Sequence, residues 1–264
     1  MDHRPLGHTG FLVSPIGFGA FKIGRNEGTK YPAGYALPED REAQRLLNGV
    51  LDLGVNLIDT APAYGTSEER IGRLLAGRRA EFVISTKVGE SFDEGQSSYD
   101  FSTAAVAASI ERSLRRLRTD VLDLVFVHAH GGDVQILEET DVVAALHAAR
   151  QRGDVRKIGF SGKTVAAARS AMEWADALMV EYHADDVSHA EVMADAAKMG
   201  VGVIVKKALA SGRLEPERAI GHALRHSGVT SVLVGTLCLE HLRENVRYAE
   251  KTLSDPCAGA AREA

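Results

Sequence analysis

The chain has 264 residues, 45% of them hydrophobic and 25% charged, which is the profile of a globular protein and excludes a disordered or collagen-like chain. Thirty-one basic and 36 acidic side chains give a formal net charge of −5, which argues against a global basic field for nucleic acid. No stretch of about 18 apolar residues suits a membrane span, and the opening residues, MDHRPLGHTG, carry no apolar core of a secretory signal.

Short apolar runs alternate with longer amphipathic ones. Arg4 to Val13 reads as two short strands around a Gly-rich turn, a hairpin suited to plugging the bottom of a barrel. The first strand of the series is Ile16–Gly19. Glu39 to Leu53 has apolar residues near helical spacing and stops at Gly54. A second strand, Asn56–Asp59, precedes a helix for which Ser67 is the N-cap candidate, with Glu68 and Glu69 in its first turn. Strand Phe82–Lys87, helix Thr103–Leu117 and strand Leu122–His128 follow. Helix Glu138–Arg152 ends at Gly153. Strand Ile158–Ser161, helix Thr164–Met172, strand Leu178–Tyr182 and helix His189–Met199 come next, then strand Val201–Lys206, helix Glu217–His226, strand Val232–Val234 and helix Glu240–Leu253.

Most of these strands are nearly continuous in apolar residues, as parallel strands covered on both faces are. Eight strands and eight helices in alternation predict an α/β fold, a (β/α)8 TIM barrel with a short N-terminal β-hairpin. A doubly wound sheet is the alternative. It calls for a dinucleotide fingerprint, and Gly17-Phe-Gly19 lacks the third glycine. No Pro- or Ser-rich linker divides the chain, so one domain is expected over 1–264, with 255–264 as a frayed tail. Cys238 and Cys257 show no metal-ligand spacing and no disulfide framework, so no metal and a cytoplasmic location are expected.

A barrel of this kind places its site at the C-terminal ends of the strands. The ionisable residues there are Asp59, with Tyr64 in the loop beyond it, then Lys87, His128 with His130, Glu181 with His183, and Lys206 with Lys207. Each has an ordinary reading alone. Asp59 is a turn or cap residue, Tyr64 a packing residue, and His128 a core histidine. Together on consecutive strands they have a chemical logic. A phenol titrates near ~10, too high for easy proton transfer at neutral pH. Lys87 is placed to lower it, Asp59 to anchor the lysine, and His128 to orient a carbonyl oxygen. That apparatus suits protonating an oxygen as hydride reaches carbon, and the hydride requires a cofactor.

The segment from Asn56 through Asp59-Thr-Ala-Pro-Ala-Tyr64 to Glu69 closely resembles the signature of the aldo-keto reductase superfamily. So do, in order, Val83 to Val88, Asp120 to His128, Gly153 to Ser161 and Val232 to Asn245. The resemblance runs from about residue 4 to 250. It implies a single-domain barrel that binds NADPH, or NADH, without a Rossmann fold, and an oxidoreductase that reduces small aldehydes or ketones or runs in reverse on alcohols. The implied catalytic set is Asp59, Tyr64, Lys87 and His128. The implied cofactor contacts are Ser161, Gly162, Lys206, Gly235, Thr236, His241, Glu244 and Asn245. Gly162 stands where the family usually has Asn, Met179 where Gln is common, Lys206 where an aromatic ring often stacks, and His241 where an arginine often reaches the 2′-phosphate. The opening of the last helix suits anion binding by backbone N–H groups. Lys207, Arg213 and Arg243 are the candidates to replace the missing arginine. A monomer is the family expectation. Two other readings compete: a lyase or aldolase barrel forming a Schiff base on Lys87 or Lys206, and a reductase-like sensor that binds cofactor with little turnover.

Overall fold

The structure, a computed structural model, describes residues 1–29 and 31–255. Most of the expected tail, 256–264 with Cys257, lies outside the described residues. Eight parallel strands close into a barrel: β1 (Ile16–Gly19), β2 (Leu57–Asp59), β3 (Val83–Val88), β4 (Leu122–His128), β5 (Val155–Ser161), β6 (Ala177–Glu181), β7 (Gly202–Lys206) and β8 (Ser231–Val234). Neighbours in sequence are neighbours in space. The ring closes where β8 pairs with β1, Val232 opposite Ile16. The helices around it are α1 (Asp40–Asp52), α2 (Ser67–Leu74), α3 (Thr103–Leu117), α4 (Asp133–Glu139), α5 (Val142–Arg152), α6 (Val165–Ala171), α7 (Ala190–Lys198), α8 (Pro216–Arg225) and α9 (Leu239–Ser254).

Two layers of apolar packing follow from the period-2 alternation of strand side chains. Outward residues such as Ile58, Ile84, Val125 and Val203 meet the helices in the larger core. Inward residues Leu57, Leu124, Phe126, Met179, Ile204 and Leu233 fill the barrel itself. The N-terminal hairpin, Arg4–Pro5 paired with Leu12–Val13, lies across its lower end. Leu6 and Val13 are fully buried against the inward set. Gly7, at φ +52, runs so close to β7 that a Cβ there would sit 2.3 Å from the Gly200 carbonyl oxygen, and His8 N–H donates to that same oxygen at 2.7 Å.

Three details differ from the sequence reading. The helix expected over 138–152 is two helices, broken where the Thr140 hydroxyl turns back to donate to the Ile136 carbonyl. Ser67 is the first residue of α2 and not its cap. Its buried hydroxyl donates to the Ala20 carbonyl and accepts from Thr60. An antiparallel hairpin, Glu90–Asp93 paired with Gln96–Tyr99, rises from the end of β3. No strand was expected there.

Candidate active site

The alternation that puts Leu57, Ser85, Phe126 and Met179 inside the barrel also fixes what lies above them. The last inward positions of β2 to β7 are Asp59, Lys87, His128, Ser161, Glu181 and Lys206. All six line a cleft of about 380 Å³ at the C-terminal mouth, together with Tyr64 and Glu90.

Lys87 is 1% exposed and Asp59 3%. The Lys87 ammonium donates to both carboxylate oxygens of Asp59, at 2.8 and 2.7 Å, and to the Thr60 carbonyl at 2.8 Å. Ser85 hydroxyl adds a bond to Asp59 at 2.8 Å. A buried lysine is tolerable only with such partners. Burial works against its charge, but Asp59 and Tyr64 outweigh it and hold Lys87 above its ordinary value.

Tyr64 sits at the rim, half-buried, with the Lys87 ammonium 4.8 Å from its ring centre. Phe21 packs on it edge-on at 5.0 Å and His128 faces it at 6.1 Å. The loop bearing it is held by Tyr64 N–H donating to the Ala61 carbonyl, and by Gly65 at φ +58, where a Cβ would strike the Gly24 carbonyl oxygen at 2.2 Å. Lys87 pulls the phenol down as expected, but burial is the larger influence, and Tyr64 is pushed up to about 12. The hydroxyl therefore holds its proton at neutral pH, the form a general acid requires.

His128 closes the other side. Its Nδ1 lies 2.7 Å from Oε2 of Glu90, a residue absent from the sequence reading. Burial lowers the imidazole's affinity for a proton against the pull of Glu90. Burial also opposes the Glu90 charge, but His128, the Ser97 hydroxyl and Arg25 overcome it and bring Glu90 down to about 2. His130 and His183 line neither cavity of the mouth. His130 packs edge-on against Tyr99 at 4.8 Å and accepts from the Gly132 N–H.

Lys206 donates to Ser161 Oγ and the Gly162 carbonyl, both at 2.9 Å. Burial, then Lys207, Lys87 and Lys163, push it down to about 7. Gly162 has no room for a side chain, since a Cβ would meet the Phe160 ring at 2.2 Å and Asp133 Oδ2 at 2.8 Å.

A second cavity of about 220 Å³ continues from Tyr64 and Lys206 past Gly235 to Asn245 on α9. Its floor is bare backbone at Gly235, where a Cβ would come within 3.2 Å of the Gly19 carbonyl oxygen. Lys22, Lys206 and Lys207 border it. The bare backbone at Gly235 and the three lysines give this groove the chemistry to receive an anionic cofactor. Of the sequence-expected contacts, Ser161, Lys206, Gly235 and Asn245 line the two cavities. Gly162 lies buried beside them. Thr236, His241 and Glu244 are outside both linings. Thr236 Oγ1 instead accepts from the Cys238 N–H at the start of α9. Among the arginine substitutes, Lys207 pairs with Glu181 and Arg243 with Glu240. Among the described residues no His, Cys, Asp or Glu cluster suits a metal, and no helix is long and apolar enough to cross a membrane.

A parallel eight-stranded barrel with an acid–lysine–tyrosine–histidine set at its mouth and a lysine-bordered groove beside it is what one family of oxidoreductases is built from, and the aldo/keto reductase family model matches residues 15–221. The chain belongs to that family of NAD(P)H-dependent enzymes, which interconvert carbonyls and alcohols. It is similar to a solved Pseudomonas aeruginosa chain described as an aldo-keto reductase, at 45% identity and TM-score 0.89 over 96% of each chain. It is also similar to the holo form of an aldo-keto reductase from Bacillus halodurans, at 26% identity and TM-score 0.83 over 100% of this chain and 94% of that one. L-galactose dehydrogenase of Arabidopsis thaliana is 30% identical over 93% of this chain and 87% of its own length.

Proposed function

We propose that Tyr64 is the general acid and base of a carbonyl–alcohol interconversion, with Lys87, Asp59 and His128 as its supporting groups. The observation that carries this is the buried Lys87, locked by three short bonds to Asp59 and Thr60 while its charge lies against the Tyr64 ring. NADPH, or NADH, supplies the hydride when bound. As carbon gains that hydride, the carbonyl oxygen takes the Tyr64 proton, and the resulting phenolate is stabilised by the Lys87 charge, which Asp59 keeps in place. In reverse, the phenolate accepts the alcohol proton. Ser161 and Lys206 supply polar contacts on the groove side, while Gly235 and Asn245 line its far end.

The substrate class is a small, polar aldehyde or ketone. The wall is set by Arg25, Glu90, Ser97, Tyr99, Glu181 and Lys207, which favours hydroxyl-bearing compounds over a steroid. Tyr64→Phe tests the assignment. Turnover should fall by about 10²–10⁴-fold, the worth of a positioned proton donor. Cofactor binding, followed by Trp and Tyr fluorescence with calorimetry as the check, should persist. A variant that retains full turnover overturns the role of Tyr64. NADPH binding more tightly than NADH supports the phosphate-bearing cofactor, and the reverse order assigns NADH.

A second reading draws support from Lys206 alone, because an amine pushed down to about 7 is substantially neutral and nucleophilic near pH 7. Borohydride trapping of a carbonyl compound on Lys206 would establish it. Lys87, held charged by Asp59, is not suited to that chemistry.

A further inference from the structure

The hairpin of residues 90–99 brings a carboxylate to the back of the histidine. Glu90 is itself tied down: Ser97, across the hairpin, donates its hydroxyl to Glu90 Oε1 at 2.7 Å, and the Arg25 charge and the Tyr99 hydroxyl lie near it. Its other oxygen, Oε2, lies 2.7 Å from His128 Nδ1. The angle falls short of a hydrogen bond, so the 2.7 Å approach is a close polar contact in which the two groups face each other. A carboxylate can only accept. A neutral imidazole beside it therefore keeps its one proton on Nδ1, and Nε2 is left as a lone pair.

The geometry points to Glu90 as a positioning residue that selects the Nδ1–H tautomer of His128, so that neutral His128 meets the substrate oxygen as an acceptor and only the imidazolium meets it as a donor. This rests on the proposed function of the same site and deepens it. An alcohol O–H can donate to Nε2, whereas a carbonyl oxygen opposite the same lone pair finds no partner there and must rely on Tyr64. The pair thus favours alcohol binding when His128 is neutral and carbonyl binding when it is protonated. Other charges face the ring. Lys87 on β3 and Lys206 on β7 oppose its protonation, Glu90 favours it, and Tyr64 is edge-on at 6.1 Å. Asp59 is engaged with Lys87 and Glu181 with Lys207, so Glu90 is the carboxylate in contact.

The tautomer is directly measurable by ¹⁵N NMR of histidine-labelled protein, free of cofactor and substrate, with the His128 signal assigned by its loss in His128→Ala. Neutral wild-type His128 should carry its proton on Nδ1. In Glu90→Gln the amide can donate to Nδ1, and the proton should move to Nε2. Activity gives a second readout. Wild-type carbonyl reduction should fall with rising pH through the His128 titration, approaching about tenfold per pH unit. In Glu90→Gln that limb should flatten, because neutral His128 then donates, and KM for alcohols should rise. Ser97→Ala, which loosens the carboxylate, should give a partial shift in the same direction. A wild-type ring protonated on Nε2, or a folded Glu90→Gln protein with the wild-type pH limb, overturns the proposal. The spectrum requires no turnover, so it stands or falls apart from the role of Tyr64.

Discussion

Removing the charge of Asp59 while keeping its shape tests how the site is held together. In Asp59→Asn the Lys87 ammonium keeps the Thr60 carbonyl and one amide oxygen but loses its carboxylate partner, held at 2.7 and 2.8 Å, in a place where it is 1% exposed. Stranding one member of a buried pair costs about 3–5 kcal/mol. At about 2 °C per kcal/mol for a chain of this length, the melting temperature should drop by about 6–10 °C. Lys87→Met strands the opposite charge. Asp59 then keeps only the Ser85 hydroxyl among these bonds and should lose a similar amount. The double variant removes both charges, so its loss should fall well short of the sum of the two singles. A urea-denaturation cycle over the four proteins measures the shortfall. The Asp59→Asn protein should also regain stability relative to wild type as pH rises, because its lysine can then shed the unpaired proton. Additive losses, with a coupling below about 0.5 kcal/mol, would refute the argument that each charge is there to satisfy the other.

Glu90 is depressed to about 2, so its contribution to stability is fully present above the unfolded carboxylate value and is lost as pH falls through the folded one. Wild type should therefore lose roughly 3 kcal/mol more than Glu90→Gln on acidification from about pH 5 to about pH 2, read by denaturant midpoints. Lys206 has the opposite sign. Its folded value, about 7, lies below the unfolded one, so the unfolded chain binds more protons between them and stability rises with pH across that window. Lys206→Met should flatten that rise and be the more stable protein near pH 6. Gly162→Ala forces a Cβ against Phe160 and Asp133 and should cost about 1–3 kcal/mol, seen as a lower urea midpoint.

The barrel was legible because its evidence is repetitive. Each strand is a short apolar run, most have a polar residue at their last inward position, and the C-terminal strand ends placed from the sequence fall within a residue of the observed ones. The Asp59–Lys87 pair was legible for the same reason, since adjacent strands with opposite charges at their last inward positions must answer one another. Glu90 was not. Its hairpin is mostly exposed and polar, so apolar periodicity says nothing about it. The signal that could have found it is the turn, where Glu94 at φ 46 and Gly95 at φ 81 form a two-residue connection between equal arms. The pull of Lys87 on Tyr64 was legible, but its net outcome was not, because sequence names the nearby cation and gives no measure of burial, which is the larger influence. The break between α4 and α5 was hidden because no Gly or Pro marks it: Thr140 turns extended, at φ −126 and ψ 161, while its hydroxyl donates to the Ile136 carbonyl and accepts from the Val142 N–H.

The hairpin across the lower end has a bearing on how such a protein can change. Leu6, Gly7 and Val13 seal the barrel at one pole, and the residues that meet substrate stand at the other. Seal and reactive rim stand at opposite ends of the same eight strands. The Glu181–Lys207 pair on that rim touches neither Lys87 nor Glu90 and can therefore be exchanged, and a new compound recruited, while the seal goes on supporting the same folded frame. Asp59, Lys87 and Glu90 serve both the fold and the chemistry, so the outer rim beyond them is the natural place to graft a new specificity.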